Sequence, residues 1–249
     1  MLIKKRIKNY RHCRNEGLSI ADALLVALKN IRTVTGSFDT GGKSIITNWR
    51  DARGLSDHEP KTRKWLKGKT GVLYDIGAHL GKFSFAAERE GMRVYAFEPH
   101  FENFRTLCHN VLLNKSEVVP LPLAILGENK LQTFPLSSLS SGSANHGLQR
   151  KTRIALPVFS FSLRGLQDIL KLSPPDYLKI DIDGQEADIL AHGGFDSVKE
   201  ILIEVSSDTS RDAVHRILEH SFRLFDEDAL VGVCERGEKY PRNEFWRRK

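Results

Sequence analysis

Val72-Leu-Tyr-Asp-Ile-Gly-Ala-His-Leu-Gly-Lys82 is the stretch that decides the fold. The apolar run from Val72 to Ile76 ends on a glycine and has the composition of a buried strand, and a helix-like segment follows from Gly81 to Glu90. Glycines at 77 and 81 permit a sharp turn and a close backbone approach. The start of the helix adds N–H groups that have no partner within the helix. A strand, turn and helix in this order make a ligand cradle at the carboxyl end of a strand, where open α/β sheets bind their ligands. The spacing is Gly-x-x-x-Gly, not the Gly-x-Gly-x-x-Gly of dinucleotide sites. Asp75 precedes the first glycine. A carboxylate there repels a pyrophosphate and suits a cationic amino-acid ligand.

Working outward, Arg93 to Phe97 reads as the next strand, Phe101 to Leu113 as a helix, and Val118 to Leu123 as a weaker strand holding Pro120 and Pro122. Glu98 closes the second strand, 17 residues after Gly81, where an acid accepts hydrogen bonds from both ribose hydroxyls of an adenosyl group. Asp75, the two glycines and Glu98 together favour S-adenosylmethionine over NAD. Residues 33–60 read as loop, and 127–153 as irregular, with a polar Ser137–Ser143 run that is either a substrate loop or a surface excursion. The alternation then resumes. Strands are expected at Ile154–Phe159, Tyr177–Ile182 and Glu200–Val205, and helices at Leu163–Leu170, Glu186–Ala191 and Arg211–His220. Phe222–Phe225 and Ala229–Cys234, flanking Asp226-Glu-Asp228, look like a closing antiparallel pair. Strand and helix alternating at this length predict a parallel sheet with helices on both faces.

Tyr177-Leu-Lys-Ile-Asp-Ile-Asp-Gly-Gln-Glu186 carries the second cluster. Alternation along an extended strand puts Asp181 and Asp183 on one side. Two carboxylates there could bind an amine, take a proton from a hydroxyl, or hold a divalent metal. Helix capping would explain Asp183 alone.

The chain has 249 residues, 40% hydrophobic and 28% charged, enough for one α/β domain with an extension. No apolar run reaches the roughly 20 residues a membrane helix needs, and no secretory leader is indicated. Cys13, Cys108 and Cys234 are scattered and read as free thiols, which points to a cytoplasmic location. The net charge of +7 is uneven: residues 1–70 hold 16 Lys/Arg against 6 Asp/Glu, residues 71–235 hold 16 against 23, and residues 236–249 hold 6 against 2. The expected layout is a basic extension over 1–60 with an amphipathic helix starting at Ser19, a binding domain over 61–235, and a basic tail over 236–249. Basic ends suit an anionic membrane surface contacted peripherally from the inner face, or a nucleic acid. Trp49, Trp65 and Trp246 would supply stacking for the latter.

Asp75-Ile-Gly-Ala-His-Leu-Gly81, Phe97-Glu-Pro99, Leu178-Lys-Ile-Asp-Ile-Asp-Gly-Gln-Glu186, Ile189-Leu-Ala-His-Gly193 and Ile201-Leu-Ile-Glu204 resemble, in this order, the signature of FkbM-type methyltransferases. The resemblance covers roughly residues 70–206. It implies an α/β class I methyltransferase fold, a Rossmann-like and mostly parallel seven-stranded sheet flanked by helices. It also implies S-adenosylmethionine as donor and O-methylation of a sugar, glycan or related secondary metabolite. Carried over residue by residue, Asp75, Gly77 and Gly81 would line the methionine end, Glu98 would hold the ribose, and Ala124 would lie by the adenine. Asp181 would sit near the amine or the reactive methyl. Asp183, Glu204 and His79 join Asp181 as candidate catalytic groups. The chain departs from the family pattern at His79, where Asn is common, at Asp183, where Glu is common, and near Arg164-Gly165, where an Asp is common. RNA methylation and a non-catalytic cofactor-binding module are the competing readings.

Overall fold

Why the glycine turn can act as a cradle is visible in the order of the strands around it. The computed structural model describes residues 33–36, 45–48, 59–136, 154–182, 184–229 and 241–249. The expected amphipathic helix from Ser19, the Ser137–Ser143 run, Asp183, Trp49, Cys13 and Cys234 lie outside the described residues. Along the chain the elements are β1 (Thr33–Gly36), β2 (Ile45–Asn48), α1 (Pro60–Leu66), β3 (Gly71–Ile76), α2 (Lys82–Arg89), β4 (Met92–Phe97), α3 (Phe101–Leu113), β5 (Val119–Leu121) and β6 (Ala124–Ile125). They continue with β7 (Lys130–Leu136), β8 (Ile154–Phe161), α4 (Leu163–Asp168), β9 (Tyr177–Ile180), α5 (Glu186–Ala191), β10 (Glu200–Val205), α6 (Asp208–Leu218), β11 (Phe222–Ala229) and β12 (Arg242–Arg248).

Seven strands form the main sheet in the order β11-β12-β10-β9-β3-β4-β5. The pairs β3–β4, β4–β5, β3–β9 and β9–β10 are parallel, and β12 is antiparallel to both β10 and β11. The chain runs outward from β3 to β4 and β5, then returns to place β9 and β10 on the other side. The switch point therefore lies between β3 and β9, at the carboxyl ends that lead into Gly77 and Asp181.

The strands that flank this point are apolar on both faces, as expected where helices cover both sides. Leu73, Leu202 and Phe245 pack with Leu80, Phe83, Phe85 and Leu107 from the side of α1, α2 and α3. Tyr74, Ile76, Leu178, Ile180, Ile201 and Ile203 pack against α4, α5 and α6 on the opposite side, through Leu163, Leu166, Ile189, Val214 and Leu218. Pro120 is tolerated in β5 because that strand is at the sheet edge, where a missing N–H costs no ladder bond.

The structure corrects the sequence reading in four places. Residues 33–60 are not all loop, because Thr33–Gly36 pairs antiparallel with Ile45–Asn48. The irregular 127–153 stretch contains β7, which pairs with β8 and, through it, β6 in a separate three-stranded sheet. The closing pair is not Phe222–Phe225 with Ala229–Cys234, since β11 runs through from Phe222 to Ala229 and pairs with β12. Residues 242–248 are therefore no tail: β12 lies between β10 and β11, with Phe245 and Trp246 in the core. The arginines that made this segment look like a solvated end are held by carboxylates and carbonyls, Arg242 by Glu227, Arg247 by Glu200 and Arg248 by Val198 and Phe195. Among the described residues no helix is long and apolar enough to cross a membrane.

Candidate functional site

Backbone contact between β3 and β9 builds the floor of the site. Gly77 has a φ of 80°, and a Cβ there would lie 1.9 Å from the Asp181 carbonyl oxygen. Only glycine lets the two strand ends meet this closely. The Gly77 and Ala78 amides both donate to the Phe97 carbonyl at 3.0 Å, so the turn is pulled toward β4. Gly81 has a φ of 93°, and a Cβ would press on Leu107 and Phe85. Asn110 fixes the same loop by donating to the Leu80 carbonyl at 3.0 Å.

Glu98 stands beside this turn and is 6% exposed. Its Oε2 accepts from the His79 amide at 2.8 Å and its Oε1 from the His100 amide at 2.9 Å. Burial pushes its carboxyl up to about 7, against the pull of those N–H groups and of the Asn103 side chain. Two carboxylate oxygens offer about four acceptor positions, so beside these three donors about one stays open to a hydroxyl. His79 has a φ of 54°. Asn and His are among the few non-glycine residues that adopt the left-handed region readily. The departure from Asn at this position thus keeps the backbone conformation that aims the His79 amide at Glu98.

Asp75 is 1% exposed and faces inward from β3. Ser84 donates to its Oδ2 at 2.6 Å, while Oδ1 has no hydrogen-bond partner among the described residues and lies 3.7 Å from Lys179 Nζ. Burial raises the Asp75 carboxyl, and the nearby Lys179 ammonium acts against the rise. Lys179 is paired in register with Asp75 across β3 and β9, and its Nζ donates to Asp181 Oδ2 at 2.9 Å. Asp181 is half-buried at the end of β9. Glu204 is also half-buried, one residue past the Ile203–Ile180 pair and so level with Asp181 on the next strand.

Ala124 is buried in β6, in the separate sheet. Asp75, Gly77, Gly81, Glu98, His79 and Asp181 therefore gather around the switch point, with Glu204 at the neighbouring strand end. Two carboxylates without an assigned function in the sequence reading take part. Glu186 accepts from the Gly184 amide at 2.7 Å and from Ser210 Oγ at 3.0 Å, tying α5 to the start of α6. Burial raises its carboxyl, and Asp181 adds to the rise. Asp188 accepts from the Gly127 amide at 2.8 Å and links α5 to the small sheet. Among the described residues no group of three or more His, Cys, Asp or Glu could hold a metal ion.

A cleft of about 610 Å³ opens beside Gly184. Gln132, Gln185, Ser206, Ser207, Thr209 and Ser210 line it, and its charged members are Glu128, Lys130 and Asp188. Lys130 is paired with Glu128. Hydroxyl and carboxamide groups thus dominate a wall whose net charge is negative. Trp65 and Trp246 are 6% and 1% exposed, Trp65 donating to Glu200 and Trp246 to Glu244. They are core residues, which removes the stacking role expected of them. Cys108, within the described residues, is a free thiol.

The family described as the methyltransferase FkbM domain matches residues 75–229. A search of the curated proteins finds no match. Among solved structures, the complex of aTrm5 with tRNALeu is similar at a TM-score of 0.50 and 10% identity, over 88% of this chain and 54% of that one. The precorrin-6y C5,15-methyltransferase of Geobacter metallireducens gives 0.46 and 16%, over 76% and 85%. TYW2 of M. jannaschii in complex with AdoMet gives 0.47 and 14%, over 88% and 87%. Likenesses at such identities concern the fold alone.

Proposed function

Since the chain belongs to the FkbM methyltransferase family, we propose that it transfers a methyl group from S-adenosylmethionine to a hydroxyl of a sugar, glycan or related secondary metabolite. The observation that carries the acceptor class is the hydroxyl- and amide-lined cleft at the carboxyl ends of β9 and β10. Such walls exchange hydrogen bonds with a polyhydroxylated ring, while their negative charge opposes a phosphate backbone.

The residues present fit the donor. Gly77 and Gly81 leave a cradle that any side chain would fill. Asp181, half-buried at the end of β9, supplies negative potential for a cationic amino-acid end, while Asp75 lies buried behind it beside Lys179. Glu98 supplies an acceptor for a ribose hydroxyl, and the start of α2 supplies N–H groups for a carboxylate. The bound cofactor supplies a methyl already activated on a sulfonium, so the protein's task is chiefly alignment. Asp181 and Glu204, level with each other on adjacent strands, orient the acceptor hydroxyl and receive its proton. Hydrogen bonds from the cleft wall fix which hydroxyl faces the donor. His79 acts through its backbone, by holding Glu98 in place.

The test is transfer of labelled methyl from S-adenosylmethionine to a panel of mono- and oligosaccharides, for the native protein and Asp181→Asn. We expect labelled glycan with the native protein. In the variant, turnover falls roughly 100-fold or more, the usual scale of a positioned proton acceptor. Full turnover by the variant with unchanged cofactor affinity would remove Asp181 from the mechanism, and label appearing only in added RNA would overturn the acceptor class.

A further inference from the structure

Lys179 is a cation buried within the cradle wall, and none of the steps above uses it. It is 2% exposed, on the central strand β9, on the face that carries Phe83. Burying an ammonium costs several kcal/mol unless carboxylates compensate it. Here three approach it. Asp181 Oδ2 is at 2.9 Å and Asp75 Oδ1 at 3.7 Å, and Glu59, at the start of α1, adds its field. The Phe83 ring lies 5.3 Å from Nζ on the remaining side.

The consequence is geometric. Residues 179 and 181 project to the same side of the strand, so the ammonium sits beneath the Asp181 carboxyl like a post. One Asp181 oxygen is tied to that post. The side chain is 33% exposed at the strand end that meets the Gly77 turn, so the carboxylate stays accessible to a ligand there. Asp75 anchors the post from β3, because register sets it opposite Lys179. The two strand ends of the switch point are thus cross-linked by charge as well as by backbone.

We propose that Lys179 is a positioning residue for the donor: anchored by Asp75, it holds the Asp181 carboxylate against the amino-acid end of S-adenosylmethionine. The proposal rests on the cofactor reading given above. It assigns to Asp181 the recognition of the donor's amine, a few bonds from the sulfonium, so one carboxylate serves both donor and acceptor. It makes Lys179 act wholly through Asp181.

Calorimetric titration of the full chain with S-adenosylhomocysteine and with 5′-methylthioadenosine tests it. The second probe keeps the adenosine and the thioether but lacks the amino acid. Lys179→Met should weaken S-adenosylhomocysteine by about 10-fold or more, the scale of a lost hydrogen bond to a charged group, and leave methylthioadenosine within about twofold. Asp181→Asn should show the same selective loss. Adding Lys179→Met to it should change the ratio of the two affinities no further, since neighbours acting as one unit are not additive. Equal weakening of both probes, or a further loss in the Asp181→Asn background, would overturn the proposal. Should Lys179→Met fail to fold, Asp75→Asn carries the test. It keeps the side-chain shape and removes the anchor's charge. It should weaken S-adenosylhomocysteine several-fold more than methylthioadenosine in the native background and not in Asp181→Asn; selective weakening in both backgrounds, or in neither, would overturn the proposal. A native protein that binds neither S-adenosylmethionine nor S-adenosylhomocysteine would instead remove the cofactor reading itself.

Discussion

Glu98 ties a sequence pattern to a measurable electrostatic property. The strand end and the adjacent proline are legible in the sequence alone, because an acid directly after an apolar strand has few reasons to be there. Its burial is not legible there, and burial decides its chemistry. With its carboxyl raised to about 7 in the fold, from an ordinary value of 4.5, the folded protein holds that proton more tightly than the unfolded chain. The stability this contributes is present below pH 4.5 and is lost as pH rises through about 7. In the proposed site ligand binding runs the other way, since a ribose hydroxyl donates to the ionised form. Methylthioadenosine affinity should therefore rise between about pH 6 and about pH 8, and Glu98→Gln should flatten the rise while weakening binding roughly 10-fold or more. Titration calorimetry at three pH values checks this. His79 shows the reverse lesson. Its ring suggests acid–base chemistry, but its φ of 54° gives the position a backbone reason that no sequence pattern displays.

Strands with continuous apolar runs are legible almost to the residue. Met92–Phe97 and Glu200–Val205 match their expected spans to within a residue, as do Phe101–Leu113 and Glu186–Ala191 among the helices. The failures share a cause. β7 and β12 lack a continuous apolar run or a clean alternation, β12 opening on Arg242-Asn243-Glu244 and closing on Arg247-Arg248, and their strand character comes from partners far along the chain. Arg242, Arg247 and Arg248 look like a solvated tail until Glu227, Glu200 and two main-chain carbonyls are placed beside them. Glu244 is fully buried yet held by Arg211 and His215 from α6. Long-range pairing of this kind leaves no local signal. The element has a clear stability test. Trp246→Ala should destabilise the fold by about 3–5 kcal/mol, the cost of removing a buried aromatic side chain, as measured by urea denaturation. A change within about 0.5 kcal/mol, typical of an exposed position, would return β12 to the status of a tail.

At the scale of the whole molecule, the sheet order and the charge distribution argue together. The reversal of strand order between β3 and β9 places the glycine turn, Glu98 and Asp181 in one crevice, although they lie on separate stretches of sequence. The same reversal sets the polar cleft beside Gly184, along the ends of β9 and β10. Net negative charge over residues 71–235, where the site lies, suits a sulfonium donor and a neutral hydroxylated acceptor better than a polyphosphate. Sequence reasoning reaches the donor because spacing and acidity are local properties. It cannot reach Lys179, whose meaning depends on its register with Asp75 across two strands. The central claim is that this crevice holds S-adenosylmethionine. Calorimetric titration of the full chain with S-adenosylmethionine and, separately, with NAD tests it most directly. Saturable binding of S-adenosylmethionine at one per chain and no heat with NAD are expected; binding of NAD without S-adenosylmethionine would contradict this claim.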